Sequence, residues 1–354
     1  MTLRCGSHRM PTLGLRSMSE REGHHRLIEL RDRLIARFGP HRVLADVPLG
    51  PYTTFKVGGP AELLVEARSS TELVGALELA RDAGVPVTLL GGGSNVLVGD
   101  LGVRGLVLRA HGGAIDRASA GRVRAEAGVT INGLVRWTIS RGLAGLEAWA
   151  GTPGTVGGAI HGNAHFQGRL VSELIASVEL VTPDGRRAER PVSEMMFGYD
   201  TSRVQQTGEV VLAATFMVEP GDPESLRRVA RSSLTYRKRT QPLHMRSAGC
   251  IFQNPHPAEP LPPGVPRSAG ALVDRAGLKG VRQGGAQVSS VHGNFVVSDG
   301  GASASDIRAL VERCRDSVAA TTGITLRDEV VYLGDFGDAA ASDPSPGRDE
   351  RSAE

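Results

Sequence analysis

LLGGGSNVLV, residues 89–98, is an apolar run that stops at three successive glycines and then resumes. Glycines at a strand end let the backbone approach a ligand closely, and Ser94 and Asn95 add side-chain donors. Exposed amides of this kind suit an anionic diphosphate. The spacing fits neither the GxGxxG of dinucleotide-binding folds nor the GxxxxGK[ST] of P-loops. A tight turn without a ligand is the alternative interpretation.

A second glycine-rich segment, GLAGLEAWAGTPGTVGGAIHGNA at residues 142–164, follows in the same part of the chain. With so little side chain, it must pack closely on another element or on a flat ligand. Two such loops in one domain predict a joint cofactor cradle rather than two unrelated turns. The candidate cofactor-binding residues are Gly91, Gly92, Gly93, Ser94, Asn95, Thr152, Pro153, Gly154, Thr155, Gly158 and Ala159.

Around these loops, short β-like runs alternate with helical ones. AELLVEA (61–67) predicts a strand, and SSTELVGALELARDAG (69–84) predicts a capped helix. The run from Pro220 to Pro223 predicts a break in regular structure before a new helix begins. We therefore predict an N-terminal extension with one amphipathic helix (1–45), a first domain (46–221), a smaller second domain (222–336) and a disordered tail (337–354).

Length and charge exclude several classes of protein. The chain has 354 residues, 40% of them hydrophobic, which is enough for two domains with cores of their own. A net charge of +3 gives no electrostatic case for nucleic acid. No apolar run approaches the roughly 18 residues that a membrane-spanning helix needs.

The cysteines Cys5, Cys250 and Cys314 are scattered, and no CxxC or Cys/His spacing predicts a metal site. Unpaired cysteines fit a reducing compartment, so we expect a cytoplasmic protein. The arginine-rich first 25 residues lack the apolar segment of a signal peptide. A transit peptide, an over-extended start and a flexible tail remain open for this segment.

Eight motifs between Pro51 and Gly334 carry a resemblance to a known family. In chain order they are YTTFKVGGPAELLVE, LLGGGSNVLVGDLGVRGLVL, GLAGLEAWAGTPGTVGGA, YRKRTQP, SAGCIFQNP, SAGALVDRAGLKG, VHGNFVV and TLRDEV. Together they resemble the UDP-N-acetylenolpyruvoylglucosamine reductases, flavoenzymes of peptidoglycan-precursor synthesis. A flavin oxidase or dehydrogenase of the same fold, or an FAD-binding homologue with altered or lost activity, are the alternatives.

The resemblance implies an α+β fold. A two-part FAD-binding domain of the PCMH (vanillyl-alcohol-oxidase) type would precede a smaller α/β substrate-binding domain. It also implies non-covalent FAD, NADPH as co-substrate, a nucleotide-sugar substrate and a monomer without nucleic-acid or membrane partners. The short distance from FGYDTSR to YRKRTQP predicts the form that lacks a lid subdomain.

Three catalytic positions follow from the resemblance. Cys250 stands where the family has a serine that donates a proton, and a thiol, with a pKa of about 8.5, is the stronger acid. Glu329 in TLRDEV matches the second family acid. The family arginine position holds Asp200, so Arg203 or Arg237 could supply the missing cation, or the site is altered.

The substrate contacts implied by the resemblance are Tyr199, Ser202, Tyr236, Arg237, Gln241 and Asn254. Two departures stand beside them. A lysine often found before Asn-Pro is Gln253 here, which removes one possible contact to the phosphates. The run IHGNAHFQG introduces His161 and His165, which are either substrate contacts or loop surface, and loop surface is the safer interpretation.

Overall fold

A computed structural model describes residues 18–337 of the chain. The predicted extension is therefore described from Met18 onward. Residues 338–354 of the predicted tail lie outside the described residues. Within the described part, sheets and helices are both abundant, and the fold is α+β. None of the helices in this range is long and apolar enough to cross a membrane.

The first sheet has the strand order β1-β2-β5-β3. Strand β1 is antiparallel to β2, whereas β5 is parallel to both β2 and β3. The elements of this part are α1 (Met18–Phe38), β1 (Val43–Pro48), β2 (Pro60–Ala67), α2 (Ser70–Ala83), β3 (Val87–Leu90), β4 (Val96–Val98) and β5 (Val103–Ala110).

The two ends of α2 are fixed by a capping side chain and by a glycine, whereas α1 is held in place by apolar packing. The Ser69 hydroxyl accepts the Glu72 N–H at 3.2 Å, and the helix ends at Gly84 with φ 63°. On α1, Leu30 and Leu34 are fully buried in the same apolar cluster as Leu106 of β5. The first helix is therefore part of the core beneath the first sheet.

The second sheet is antiparallel throughout, in the order β12-β11-β13-β7-β6. Helices α3 and α4 pack in one core with it. The elements of this part are β6 (Ile115–Ser119), β7 (Arg122–Glu126), α3 (Ile131–Ser140), β8 (Leu143–Ala144), α4 (Val156–His161), β9 (His165–Phe166), β10 (Arg169–Leu170), β11 (Ile175–Val181), β12 (Arg187–Pro191), α5 (Val204–Thr207), β13 (Val210–Met217) and β14 (Glu219–Pro220).

The third part holds a small antiparallel sheet, β15-β16-β17, against α8. Its elements are α6 (Pro223–Thr240), α7 (Ala269–Arg275), β15 (Arg282–Gln283), β16 (Ala286–Val288), β17 (Val296–Ser298), α8 (Ala304–Thr322) and β18 (Val331–Leu333). Between Arg203 and Tyr236 the chain forms only α5, β13, β14 and most of α6, which leaves no room for a lid subdomain.

The last strand returns to the first part of the chain. Val331, Tyr332 and Leu333 of β18 pair in parallel with β4, directly after the first glycine loop. We predict a strand over the whole of TLRDEVVYLG, but only its last residues form one. The preceding residues run beside the segment around Phe252, with a single bridge from Phe252 to Asp328. This irregular stretch carries Glu329.

Candidate active site

The two glycine loops lie against each other, backbone to backbone. A Cβ built on Gly92 would lie 2.7 Å from the Cα of Gly154, and one on Gly154 would lie 2.7 Å from the Ser94 hydroxyl. A Cβ on Gly91 would lie 2.6 Å from the Thr155 hydroxyl. These contacts are too short for any side chain, so the close approach requires glycine. The structure brings the two predicted loops into one cradle.

The first loop also presents unused donors. Within residues 18–337, the backbone N–H groups from Gly91 to Asn95 donate to no protein acceptor. Gly93 has φ 62°, and its carbonyl accepts the Thr54 N–H at 2.9 Å, which fixes the shape of the loop. Successive free amides form an anion-binding concavity. The loop therefore fits the diphosphate of a nucleotide cofactor.

Asn95 connects this cradle to Glu329. Its side-chain amide donates to the Glu329 carbonyl at 3.0 Å, and its own carbonyl accepts the Val331 N–H at 3.0 Å. The Glu329 N–H in turn donates to the carbonyl of Ile251 at 2.7 Å, next to Cys250. Residues from three distant parts of the sequence thus meet at the edge of the glycine cradle.

Asn294 holds the Cys250 segment in place. Its side-chain oxygen accepts the Phe252 N–H at 2.9 Å, and its amide donates to the Phe252 carbonyl at 2.7 Å. The Ile251 N–H donates to the Asn294 carbonyl at 2.9 Å. Asn294 is buried, with 4% of its surface exposed. Asn294 lies in the motif VHGNFVV, but its role could not be predicted, because a buried asparagine has no sequence signature of its own.

The surroundings of Cys250 keep its thiol protonated. Burial raises the pKa of Cys250, the negative charges of Glu329 and Asp200 raise it further, and the hydrogen bond with Asn294 acts in the opposite direction. The sequence argument for a more acidic donor is therefore offset by these surroundings. What remains is a thiol that holds its proton through neutral pH.

His165 and Asp200 form a pair beside Glu329. The imidazole Nδ1 lies 3.0 Å from the Asp200 carboxylate, and their side chains are 27% and 8% exposed. The hydrogen bond with Asp200 raises the pKa of His165. Burial and the Asp200 charge raise the pKa of Glu329, whereas His165 lowers it. His165 is thus half-buried in the site, and the interpretation as loop surface is wrong.

The ligand atoms of His165, Asp200 and Glu329 all lie within 4.8 Å of one another. Within the described residues this is the group whose donors could hold a metal ion, although no Cys/His spacing in the sequence predicts one. The direct contact between His165 and Asp200 already provides each with an electrostatic partner.

Comparison with known proteins identifies the family of this chain. The "FAD binding domain" family model matches residues 61–189, and the model described as "UDP-N-acetylenolpyruvoylglucosamine reductase, C-terminal domain" matches residues 241–333. The UDP-N-acetylenolpyruvoylglucosamine reductase of Synechococcus sp. (strain WH7803) is 42% identical over 295 residues, covering 81% of this chain and 92% of the relative. The chain belongs to the UDP-N-acetylenolpyruvoylglucosamine reductase family.

Other relatives agree in length as well as in sequence. The reductase of Heliobacterium modesticaldum is 38% identical over 291 residues, covering 82% of this chain and 90% of the relative. The crystal structure of the reductase from Thermus caldophilus superimposes with a TM-score of 0.68 at 34% identity, covering 81% of this chain and 97% of that one. FAD is the cofactor of this family of oxidoreductases, and the glycine cradle with its free amides fits its diphosphate.

Against this reductase background, Arg203 does not fill the place of the missing cation. Its guanidinium donates to the Glu209 carboxylate at 2.7 Å, and Arg190 binds the same carboxylate. Glu209 is only 3% exposed at its side chain, so it requires this compensation. The structure therefore gives Arg203 a structural ion pair and does not bring it to Glu329. The catalytic assignment of Arg203 is not supported by its contacts.

Arg237 is a buried cation of a different kind. Its Nη2 donates to the Thr152 hydroxyl at 2.7 Å, and its guanidinium lies 3.7 Å from the centre of the Phe166 ring. Its Nε has no partner, and no carboxylate pairs with it within the described residues. Burial lowers the pKa of Arg237 to about 10. A buried guanidinium without a counter-ion suits an anionic ligand.

The remaining predicted contacts divide into two groups. The Asn254 amide donates to the Tyr199 hydroxyl at 3.2 Å beside His165, and Tyr236 is 38% exposed on α6. Ser202 is buried and donates to the His161 carbonyl at 2.6 Å, which is a structural role. Gln241 ends α6 through a backbone bond to the Arg237 carbonyl. His161 itself has an exposed side chain.

Proposed function

We propose that this chain reduces UDP-N-acetylglucosamine enolpyruvate to UDP-N-acetylmuramate, with NADPH as the electron source and FAD as the cofactor, in peptidoglycan-precursor synthesis. One observation carries the proposal. The Cys250 thiol and the Glu329 carboxyl, both with raised pKa values, meet at the edge of the glycine cradle through Asn95 and Ile251. Reduction of a carbon–carbon double bond by hydride requires one proton donor beside the flavin, and a second protonated acid can hydrogen-bond the charge that develops on the substrate.

When bound, FAD supplies the hydride chemistry, which no side chain of the chain can supply. The residues must provide the proton. Hydride addition to the methylene carbon leaves negative charge on the neighbouring carbon and its carboxylate, and a proton has to arrive at that carbon. Cys250 holds a proton at neutral pH and is our choice for this donor. Glu329, also protonated, can donate a hydrogen bond to the carboxylate as its charge grows.

Most of the candidate substrate contacts lie in the third part of the chain, and Tyr199 lies in the second. Arg237, buried and without an acidic partner, is our candidate for an anionic group of the nucleotide sugar. The other candidate substrate contacts are Tyr199, Tyr236, Gln241 and Asn254. We retain 46–221 as the FAD-binding domain and 222–336 as the substrate-binding domain. The cysteines Cys250 and Cys314 are unpaired, which favours action in the cytoplasm. We retain the monomer and the nucleotide-sugar substrate as parts of the proposal.

The experiment that tests the function follows the flavin of the purified holoenzyme without oxygen. NADPH should bleach the visible absorbance of the flavin, and UDP-N-acetylglucosamine enolpyruvate should restore it. Acid precipitation should release the FAD, since the attachment is non-covalent. A protein that ignores the enolpyruvyl substrate but is rapidly reoxidised by oxygen would be an oxidase, and the proposed function would be wrong.

A further inference from the structure

The titratable groups that surround Glu329 are acidic, with the exception of His165. The groups that meet there are the carboxyls of Glu329 and Asp200 and the thiol of Cys250. The reaction adds a further negative charge on the substrate carboxylate. Arg203 is paired with Glu209, and Arg237 lies on Phe166 and Thr152. Among the described groups that titrate with Glu329, His165 is the only one that can be positive.

The backbone around His165 is fixed by side-chain hydrogen bonds from both directions. The buried Asn163 donates to the Gly198 carbonyl at 2.7 Å and accepts the Ser172 N–H at 3.1 Å. The Gln205 amide donates to the His161 carbonyl at 2.7 Å and to the Asp200 carbonyl at 3.0 Å. The loop that carries His165 is therefore tied to the turn that carries Asp200.

Asp200 combines an unusual backbone conformation with a buried carboxylate. It adopts φ 55°, a left-handed conformation that is uncommon for residues other than glycine. One of its carboxylate oxygens contacts His165, and the other is buried without a partner. A carboxylate in this setting gains most from a cationic imidazole, because a neutral ring would leave the negative charge uncompensated.

We propose that His165, held by Asp200, is the positive charge of this active site and acts as a positioning residue through Glu329. The imidazolium offsets the negative charge that develops during proton delivery, so that Glu329 and the substrate carboxylate can share it. This inference rests on the proposed function. It names a role for two residues that lie 35 positions apart.

The test separates the two half-reactions of the FAD-loaded enzyme by anaerobic stopped-flow. His165→Asn keeps an amide donor toward Asp200 but removes the charge. Reduction of the flavin by NADPH should be unchanged, whereas reoxidation by the enolpyruvyl substrate should slow on the order of 100-fold. The control is His41→Asn, at an exposed turn, which should leave both rates at the wild-type value.

The pH profile gives a readout that a structural role would not move. The groups facing His165 are Asp200 and Tyr199 from one turn and Glu329 from the segment before β18, with Cys250 behind the two carboxyls. Because Asp200 raises the pKa of His165, the cation persists to higher pH and is lost as pH rises through that value. The Asp200 charge also raises the pKa of Glu329, so both groups respond to its removal. Asp200→Asn should therefore move the alkaline limb of substrate-driven reoxidation to lower pH, and the shift should be larger in the wild-type background than in His165→Arg, where only Glu329 still responds.

A charge rescue completes the set. His165→Arg supplies a permanent cation and should recover at least roughly a tenth of the wild-type rate. Wild-type reoxidation in His165→Asn, or an equal limb shift on Asp200→Asn in the wild-type and His165→Arg backgrounds, overturns the role of His165. If His165→Asn loses its FAD, the Asp200→Asn profile and the arginine rescue decide the question.

Three further results would each contradict a different claim. Loss of reoxidation on treatment with EDTA, restored by Zn²⁺ or Mn²⁺, would overturn the proposal, because His165, Asp200 and Glu329 would then be metal ligands. Wild-type enzyme that the substrate cannot reoxidise would contradict the proposed function itself. Normal wild-type turnover with indifferent variants would contradict only the role of His165.

Discussion

At the scale of single residues, Cys250 shows how surroundings revise a sequence argument. A free thiol is a better acid than a hydroxyl, but the two carboxyls beside it and its burial raise its pKa. The side chain of Cys250 is therefore a protonated thiol at neutral pH and not a thiolate. In the proposed role as proton donor, Cys250 depends on its position, which Asn294 fixes through Phe252, more than on intrinsic acidity.

Removal of this thiol should affect one half-reaction only. In Cys250→Ala, NADPH should still reduce the flavin, while substrate-driven reoxidation should fall by roughly 10²- to 10⁴-fold, since a positioned acid is lost. Cys250→Ser should retain substantial turnover. Stopped-flow absorbance measures both rates. Cys314→Ala, in the core of α8, is the matched control and should behave as wild type. Normal reoxidation in Cys250→Ala would make Cys250 a packing residue.

Substitution of Arg237 should affect substrate binding, whereas substitution of Arg203 should affect stability. Arg237→Ala should raise the KM for the nucleotide sugar about tenfold or more, because a charge-assisted contact contributes about 1.5–3 kcal/mol. Arg203→Ala should leave KM unchanged but lower the free energy of unfolding by about 1–3 kcal/mol, since it partners the buried Glu209. Steady-state kinetics and denaturant titration measure the two effects. Equal KM values in both variants would contradict the assignment of Arg237.

Sequence reasoning could find Cys250 and Glu329 because each lies in a recognisable run. It could not find the pair of His165 and Asp200, because the two lie far apart in sequence and neither residue alone predicts a partner. The prediction for Arg203 relied on its closeness to Asp200 in the chain. In the structure, its guanidinium instead forms an ion pair with Glu209.

At the scale of elements, periodicity predicted the regular helix and strand near the start of the first domain but not the irregular stretch around Glu329. The helix at 69–84 and the strand at 61–67 are observed as α2 and β2 because their burial patterns are regular. The stretch around Glu329 is irregular because its neighbours on both sides, Ile251 and Asn95, impose the hydrogen bonding. Tertiary contacts of that kind leave no periodic trace in the sequence.

The glycine cradle gives a direct test at this scale. Gly92→Ala places a Cβ 2.7 Å from the Gly154 backbone, so the two loops must separate. Such overpacking costs about 1–3 kcal/mol, and FAD affinity should fall roughly 5- to 150-fold. Quenching of flavin fluorescence on titration measures the affinity. Gly23→Ala, a helical position with open space around it, should bind FAD as wild type. Unchanged affinity in Gly92→Ala would mean that the loops do not form the cradle.

At the scale of the whole molecule, helix α1 belongs to the core of the first sheet. Leu34 is fully buried against residues of α2, β2 and β5. The sequence predicts the helix from its spacing, but not the surface that it covers. A segment assigned to an N-terminal extension thus contributes to the stability of the FAD-binding part.

Leu34→Ala measures that contribution. A buried leucine reduced to alanine costs about 2–5 kcal/mol, so thermal unfolding should begin well below the wild-type temperature. Ile28→Ala, at a position that is 38% exposed, should change the free energy of unfolding by no more than about 0.5 kcal/mol. Calorimetry of both variants provides the comparison. Similar unfolding temperatures would show that α1 is dispensable.

The pairing of β4 with β18 has a consequence for how the enzyme is made. The first glycine loop leaves the ribosome early, but Asn95 reaches its partners at Glu329 and Val331 only when nearly the entire chain has been synthesised. Until then, the edge of the flavin cradle lacks Glu329 and the hydrogen bonds that this segment makes to Ile251 and Asn95. We therefore expect the substrate half-reaction to become possible only after this C-terminal segment has been synthesised and has paired with β4.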